Sequence, residues 1–148
     1  MKKLLVLILL LATCYSNWFE IVTNECNLYP SDKVNPELIH AIIWQESKDG
    51  KYIYNSNSIN ICYGLMQVSD VLVDWINYLE PTVKLKHKDL YDNYINIHWG
   101  VWYYGYCLWK GNWNESNALF LYNNGHNATN TNYIYANKVL KKYLELIK

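Results

Sequence analysis

The chain has 148 residues, of which 51% are hydrophobic and 18% are charged. This composition indicates one folded domain and excludes a disordered chain. The 13 basic residues are all Lys and are balanced by 13 acidic ones. No net charge therefore attracts nucleic acid, and no Arg side chain is present to read phosphate or guanine.

The 7 Trp and 15 Tyr outnumber the 2 Phe. Rings with a polar group suit a wet cleft for polar ligands such as sugars, although many must fill the core.

The first 16 residues have the pattern of a secretory signal peptide. A Met and two lysines begin the chain, residues 4–11 form an unbroken apolar run, and small residues follow. The run is too short for a permanent membrane-spanning helix. We predict a leader over residues 1–16 and one domain over residues 17–148 of an exported protein, in the periplasm or cell envelope.

Cys14 gives this leader a second interpretation. The string Leu11-Ala12-Thr13-Cys14 resembles a bacterial lipobox, in which the cysteine receives a lipid after cleavage. Gly, Ala or Ser is usual where Thr13 stands, and plain cleavage near Ser16 is the alternative that the sequence leaves open. With a lipid, the domain would be anchored to a membrane and would not span it.

Three cysteines remain in the predicted domain, and they are Cys26, Cys62 and Cys107. Export permits a disulfide, but three thiols allow one bridge and one leftover, and the sequence does not identify the pair. No spacing of Cys and His is typical of a zinc site, and the four His are scattered. We expect neither a metal nor another cofactor.

Capping residues and apolar spacing predict a compact, mostly helical domain. Asn35 before Pro36 is a typical helix start, and Asn114 is a second candidate N-cap. Residues 51–63 are rich in Asn and Ser and predict a loop, with room for a short β-hairpin within residues 51–61. The predicted helices cover residues 36–47, 70–79, 92–108, 114–122 and 132–147.

Glu46 occupies an unusual position for a carboxylate. On the first predicted helix it follows Ile42 by four residues and Ile39 by seven, so it ends an apolar stripe. The helix dipole and the apolar neighbours both disfavour the ionised form there, and both should raise the pKa. A carboxylic acid that stays protonated near neutral pH can act as the general acid of glycoside cleavage. The alternative is that the side chain only extends into solvent beyond the helix end.

Four short blocks follow in a fixed order over roughly residues 36–143. They are Glu46-Ser47 with Ser58 and Gly64-Leu65-Met66-Gln67-Val68; Asp92-x-x-x-Asn96-Ile97-x-x-Gly100; Ala118-Leu119-x-x-Tyr122-Asn123-Asn124-Gly125; and Tyr135-x-x-x-Val139. Together they resemble the lytic transglycosylase family, whose catalytic domain shares its fold with goose-type lysozymes. The chain departs from the family pattern at Asn93, at residues 61–63 and at Asn124, which affects loop detail and not the acid.

The resemblance implies a mostly α, lysozyme-like domain with Glu46 as the catalytic acid. It also implies a glycan cleft lined by Ser58, Met66, Gln67, Tyr122, Asn123 and Tyr135. From its chemistry, the Gln67 amide can both donate to and accept from a sugar. The Tyr122 hydroxyl is expected to reach the acid.

Several residues in these blocks have a structural interpretation beside the functional one. Met66 and Tyr135 can be mainly packing residues. Asn96 and Gly100 are expected to provide a buried hydrogen bond and a close helix contact. Ser47 is expected to bond back to its own helix and to do no chemistry.

The blocks contain no second carboxylate at an evident partner position, whereas most glycosidases use two. Asp70 comes nearest, and we predict that it is a helix cap. The resemblance implies that the substrate's N-acetyl group assists and that Glu46 closes a 1,6-anhydro ring on the muramyl sugar. The predicted activity is lytic cleavage of the MurNAc–GlcNAc β-1,4 bond of peptidoglycan. Hydrolysis, as by a goose-type lysozyme, and non-catalytic peptidoglycan binding are the alternatives.

Peptidoglycan glycan strands are therefore the expected partner. The short chain also resembles small transglycosylases that open the wall locally for secretion, conjugation or phage-entry machines, and this link is an analogy. Nucleic acid is not expected as a partner, and membrane contact is expected only through a lipid on Cys14.

Overall fold

The computed structural model describes residues 18–56, 60–129 and 132–148. The predicted leader over residues 1–16, with Cys14, lies outside the described residues, and so does Ser58. None of the helices in the described ranges combines the length and the apolar character that crossing a membrane requires.

The described chain is mostly helical, as predicted. Its helices are α1 (residues 18–26), α2 (Pro36–Ser47), α3 (Asp70–Leu79), α4 (Asn93–Lys110), α5 (Glu115–Asn124) and α6 (Ile134–Leu146), with a 3₁₀ helix at His87–Tyr91. Each predicted helix agrees with an observed one to within two residues at either end. The sequence did not predict α1 or the 3₁₀ helix.

Side-chain caps set the starts of helices α2 to α5. The Asn35 side chain accepts a hydrogen bond from the Leu38 amide and Asn114 accepts one in the same way, so both predicted caps are confirmed. The prediction for Asp70 is wrong, because Ser69 is the N-cap of α3 and Asp70 is its first residue. Ser69 has extended backbone angles and accepts from the Leu72 amide. A serine caps a helix as well as an aspartate does, so the helix begins one residue earlier than an Asp70 cap would require.

A small antiparallel sheet lies between α2 and α3 in the chain. Its strands are β1 (Tyr54–Asn55), β2 (Cys62–Tyr63) and β3 (Val68–Ser69), in the order β1-β2-β3. Tyr63 pairs with Tyr54 on one side and with Val68 on the other. A hairpin was predicted within residues 51–61, but the second strand begins at Cys62, just beyond that range.

Helix α4 lies at the centre of the packing. It packs on α5, while α6 packs on both α2 and α5. Ile97, Val101, Tyr104 and Leu108 of α4 are fully buried, at the spacing of one helix face. Glu25 of α1 is buried and its Oε2 lies 2.9 Å from Nδ1 of His98 on α4, which fastens α1 to the central helix.

The turn at residues 64–67 is fixed against α4 by Asn96. The buried Asn96 side chain accepts from the Met66 amide and donates to the Tyr63 carbonyl, both at 2.8 Å. A Cβ at Gly64, where φ is +74°, would overlap the Asn96 amide, and one at Gly100 would lie 2.5 Å from Met66 Sδ. The structural roles predicted for Asn96 and Gly100 are therefore confirmed.

The three cysteines of the described residues are thiols. Cys26 and Cys107 are buried, and burial raises the pKa of both thiols to about 12. Cys62 lies at the wall of the cleft described below. The structure thus contains no disulfide among these three residues.

Candidate active site

A cleft of about 790 Å³ is bounded by the sheet, the start of α3 and the segment that follows α5. Its volume falls in the range of ordinary ligand sites. Glu46, Gln67, Tyr122 and Asn123, four of the predicted site residues, line it together. The four come from α2, the turn after β2 and the end of α5, so the fold assembles the site from distant parts of the chain.

Glu46 is the second-to-last residue of α2 and faces this cleft. The side chain is half-buried and does not extend into bulk solvent. Burial raises the pKa of Glu46 from 4.5 to about 7, against the opposing effects of a hydrogen bond from Tyr135 and the charge of Lys48. Near neutral pH this carboxyl group can therefore hold a proton and release it.

The end of α2 is held rigidly beside Glu46. The fully buried Ser47 hydroxyl donates to the Ile43 carbonyl at 3.1 Å and accepts from the Gly50 amide at 3.0 Å. Lys48 then takes a left-handed conformation, with φ at +53°. Ser47 bonds back to its helix as predicted, and this bonding fixes the turn that follows the acid.

Two tyrosines lie near Glu46, and the one that bonds to it is not the one that was expected to. The Tyr135 hydroxyl donates to Glu46 Oε1 at 2.5 Å. The Tyr122 hydroxyl was expected to reach the acid, but it donates to the Met66 carbonyl at 2.9 Å. Burial raises the pKa of both phenols well above its usual value, so both remain donors at neutral pH. The Tyr122 ring packs on Tyr103, with 5.4 Å between the ring centroids. In this position its hydroxyl is directed at Met66 and not at Glu46.

Met66 does not line the cleft. Its side chain is fully buried and lies against Gly100, which is the packing role that the sequence had left open. Only its backbone contributes near the site, since its carbonyl oxygen accepts from Tyr122.

Gln67 lines the cleft in a strained conformation, with φ at +50°. Its amide nitrogen donates to the Gly64 carbonyl at 2.9 Å and to the Tyr52 carbonyl at 3.2 Å. These bonds hold the side chain in place and point to its amide oxygen as the group that can accept from a ligand. Asn123 is exposed, also lines the cleft and can offer both functions of its amide.

Trp75 and His126 also line the cleft, and the sequence analysis identified neither of them as a site residue. Their rings stack at 4.4 Å between centroids, with planes 26° apart. Burial and the nearby Lys110 charge lower the pKa of His126, which favours the neutral ring. The position of His126 directly after the Gly125 block was the only available signal.

Glu46 is the only carboxylate among the lining residues that the structure describes. Asp70 is not in the lining, and its carboxylate accepts from the Val71 amide at the start of α3. Within the described ranges, no group of three or more His, Cys, Asp or Glu side chains is placed to hold a metal ion. The polar chemistry of the cleft is thus a single acid surrounded by amides, hydroxyls and aromatic rings.

Fold and site together define a mostly helical, lysozyme-like domain with one half-buried acid in its cleft. The model of the transglycosylase SLT domain family matches residues 30–144. The chain belongs to this family, whose members are in general lytic transglycosylases that act on peptidoglycan. Comparisons with curated proteins and with solved structures gave no match.

Proposed function

We propose that this protein is a peptidoglycan lytic transglycosylase that cleaves the β-1,4 bond between MurNAc and GlcNAc and leaves a 1,6-anhydromuramyl end. The observation that carries the proposal is Glu46, with its pKa raised to about 7, as the only carboxylate in the described cleft lining. Membership of the transglycosylase SLT family supports the general activity.

In the first step, protonated Glu46 donates its proton to the oxygen that bridges the two sugars. The bond between this oxygen and C1 of the muramyl sugar breaks, and positive charge develops at C1. No second carboxylate is available in the described lining to stabilise that charge. The carbonyl oxygen of the sugar's own N-acetyl group takes this role, in contrast to glycosidases with paired carboxylates.

In the second step, the Glu46 carboxylate removes the proton from the C6 hydroxyl of the same sugar. The C6 oxygen bonds to C1, the anhydro ring closes, and Glu46 is protonated again, so no water is consumed. Ring closure is favoured over attack by water because the hydroxyl is held close to C1 and has a high effective concentration. The Tyr135 hydroxyl supports the ionised state between the two steps, since its hydrogen bond lowers the pKa of Glu46.

Glu46→Gln tests the acid, because it keeps the shape and hydrogen bonding of the side chain but removes the proton. We expect the release of soluble muropeptides from purified peptidoglycan to fall by about 100-fold or more. The exposed Glu80 lies outside the cleft lining, and Glu80→Gln is the matched control with wild-type turnover. Normal cleavage by Glu46→Gln would contradict the proposal.

The chemical outcome is tested on the products of the wild-type protein. Mass spectrometry should find muropeptides that are lighter by one water than hydrolysis products, with no label incorporated when the reaction is run in isotope-labelled water. Predominant reducing ends that carry the label would identify a hydrolytic muramidase instead. Binding without any cleavage would leave a peptidoglycan-binding module.

A further inference from the structure

The outward face of α4 carries aromatic rings where a surface helix usually carries charges. Trp99, Trp102, Tyr106 and Trp109, here called the aromatic strip, follow one another at spacings of three and four residues. Trp109 is 61% exposed, and the other three are half-buried. Lys110 is the only lysine or acidic residue of the helix. This face therefore suits an uncharged partner better than a polyanion.

Ring contacts join the strip into a continuous surface. The ring centroids lie 5.7 Å apart for Trp99 and Trp102, 6.1 Å for Trp102 and Tyr106, and 5.7 Å for Tyr106 and Trp109. The planes of Trp102 and Tyr106 differ by only 15°. With a helical rise of 1.5 Å per residue, the strip is about 15 Å long.

The aromatic strip is continuous with the cleft. Trp75, a cleft residue, has its ring 5.6 Å from Trp102 and 4.9 Å from Tyr106. His126, also a cleft residue, stacks on Trp75 and lies 5.5 Å from Tyr106. A chain of rings thus leads from the wall of the cleft to the outer surface of α4, and a ligand longer than the cleft would meet the strip as it leaves.

We infer that the aromatic strip is an additional glycan-binding surface, which holds the part of a peptidoglycan strand that extends beyond the cleft. The inference rests on the proposed function, because it takes the glycan in the cleft to be the ligand that continues over the strip. The C–H faces of the sugars stack on the rings, and the indole N–H and phenol O–H groups meet sugar hydroxyls and amides. Trp and Tyr also favour membrane interfaces, but the ring contacts with Trp75 and His126 connect this surface to the cleft.

The experiment measures binding to insoluble peptidoglycan without cleavage, with Glu46→Gln as the common background. Trp109→Ala in this background should weaken cosedimentation with peptidoglycan by about fivefold to tenfold, the range expected for losing one ring contact. Trp109→Tyr should restore most of the binding, since it keeps a ring with a polar group. Trp113→Ala is the matched control, because Trp113 is 50% exposed and no ring contact between it and the strip is present in the described chain.

Turnover by the otherwise wild-type protein separates this inference from the proposed function. Trp109→Ala should raise KM for long strands several-fold more than KM for short soluble fragments, with kcat for long strands much less affected. Equal binding by Trp109→Ala and Trp113→Ala would overturn the inference, even if Glu46→Gln abolishes cleavage as proposed. The inference would also be overturned if Trp109→Ala lost binding to phospholipid vesicles but was fully retained on peptidoglycan. Weaker peptidoglycan binding by Trp109→Ala supports the strip even if the protein proves non-catalytic.

Discussion

Opposing effects set the pKa of Glu46. Burial at the cleft wall raises its pKa, while the Tyr135 hydroxyl and the Lys48 charge lower it. The resulting pKa of about 7 suits a group that must first give a proton and then take one back near neutral pH. The proposed chemistry thus depends on a balance within one small group of side chains.

Tyr135→Phe removes the hydrogen bond that stabilises the Glu46 carboxylate. The pKa of Glu46 should therefore rise, and the alkaline limb of the kcat/KM profile should move to higher pH. A shift on the order of one pH unit is expected for the loss of a hydrogen bond to a charged group. Tyr143→Phe, on the same helix, is the control and should leave the limb in place. A limb that stays fixed or moves to lower pH in Tyr135→Phe would refute this role.

The half-buried Glu46 should also reduce the stability of the fold at alkaline pH. Its pKa is about 7 in the folded chain against an ordinary value of 4.5, so the folded state binds the proton more tightly than the unfolded state does. The free energy of unfolding should therefore decrease as pH rises from about 4.5 to about 7, by up to roughly 3 kcal/mol. Below that range Glu46 is protonated in both the folded and the unfolded state, and this decrease in the free energy of unfolding is absent.

Glu46→Gln removes this cost, so the variant should be more stable than the wild type at pH about 8. The difference should shrink as the pH falls to about 4.5. Urea unfolding followed by tryptophan fluorescence at both pH values measures it, and Glu80→Gln should show no such trend. An equal difference at both pH values would mean that ionisation of Glu46 is not its source.

The turn at residues 64–67 and helix α4 form one structural unit. Asn96 holds the turn by two hydrogen bonds, and Gly64 and Gly100 allow the backbone and Met66 to approach without a Cβ in the way. Gln67 lies in this turn, and the Tyr122 hydroxyl donates to the Met66 carbonyl of the same turn. Since both residues line the cleft, the unit supports one wall of it. Packing at α4 is therefore coupled to the shape of the site.

Gly64→Ala tests this unit against a matched glycine. Gly64 and Gly125 both have positive φ, at +74° and +89°, but a Cβ at Gly125 meets nothing within 4 Å. Gly125→Ala should cost only the backbone strain, about 1–3 kcal/mol. Gly64→Ala adds overlap with Asn96 and with the Leu90 carbonyl, so its cost should be larger by about 1–3 kcal/mol. Thermal unfolding followed by circular dichroism compares the two variants. Equal losses of stability would show that Asn96 moves aside at little cost in free energy.

Helix α6, near the C-terminal end of the chain, contributes a hydrogen bond to the acid. Ala136 and Val139 are fully buried, and Tyr135, one turn before Val139, meets Glu46 of α2. In the Tyr135-x-x-x-Val139 block, Val139 thus packs in the core while Tyr135 contacts the acid. The spacing of four residues places both side chains on the same face of α6.

For the whole molecule, we propose export to the cell envelope, where peptidoglycan is present, on the basis of the leader pattern over residues 1–16. Expression of the full chain in a bacterium should give an envelope-associated product without this leader. The mass of the mature N-terminus distinguishes a lipid on Cys14 from plain cleavage near Ser16. Cys14→Ser should release the protein from the membrane fraction in the first case and change nothing in the second. Full-length protein that stays in the cytoplasm would refute export.

The amino-acid sequence alone determined helices α2 to α6 and the candidate acid. Helix starts depend on neighbouring residues, such as Asn35 with Pro36 and Asn114 near its own helix, so they can be read locally. The apolar stripe before Glu46 likewise lies within twelve residues of one helix. Only the choice between Ser69 and Asp70 as a cap was wrong among these local features, because both residue types can cap a helix.

Only the tertiary structure decided which groups meet in the cleft. Tyr135, and not Tyr122, bonds to Glu46, because this depends on how α5 and α6 are oriented against α2. The stacking of Trp75 on His126 joins residues far apart in the chain, and no spacing rule brings them together. Local propensity and periodicity describe one element at a time, whereas these contacts arise when several helices pack around α4 and fix one another's rotation.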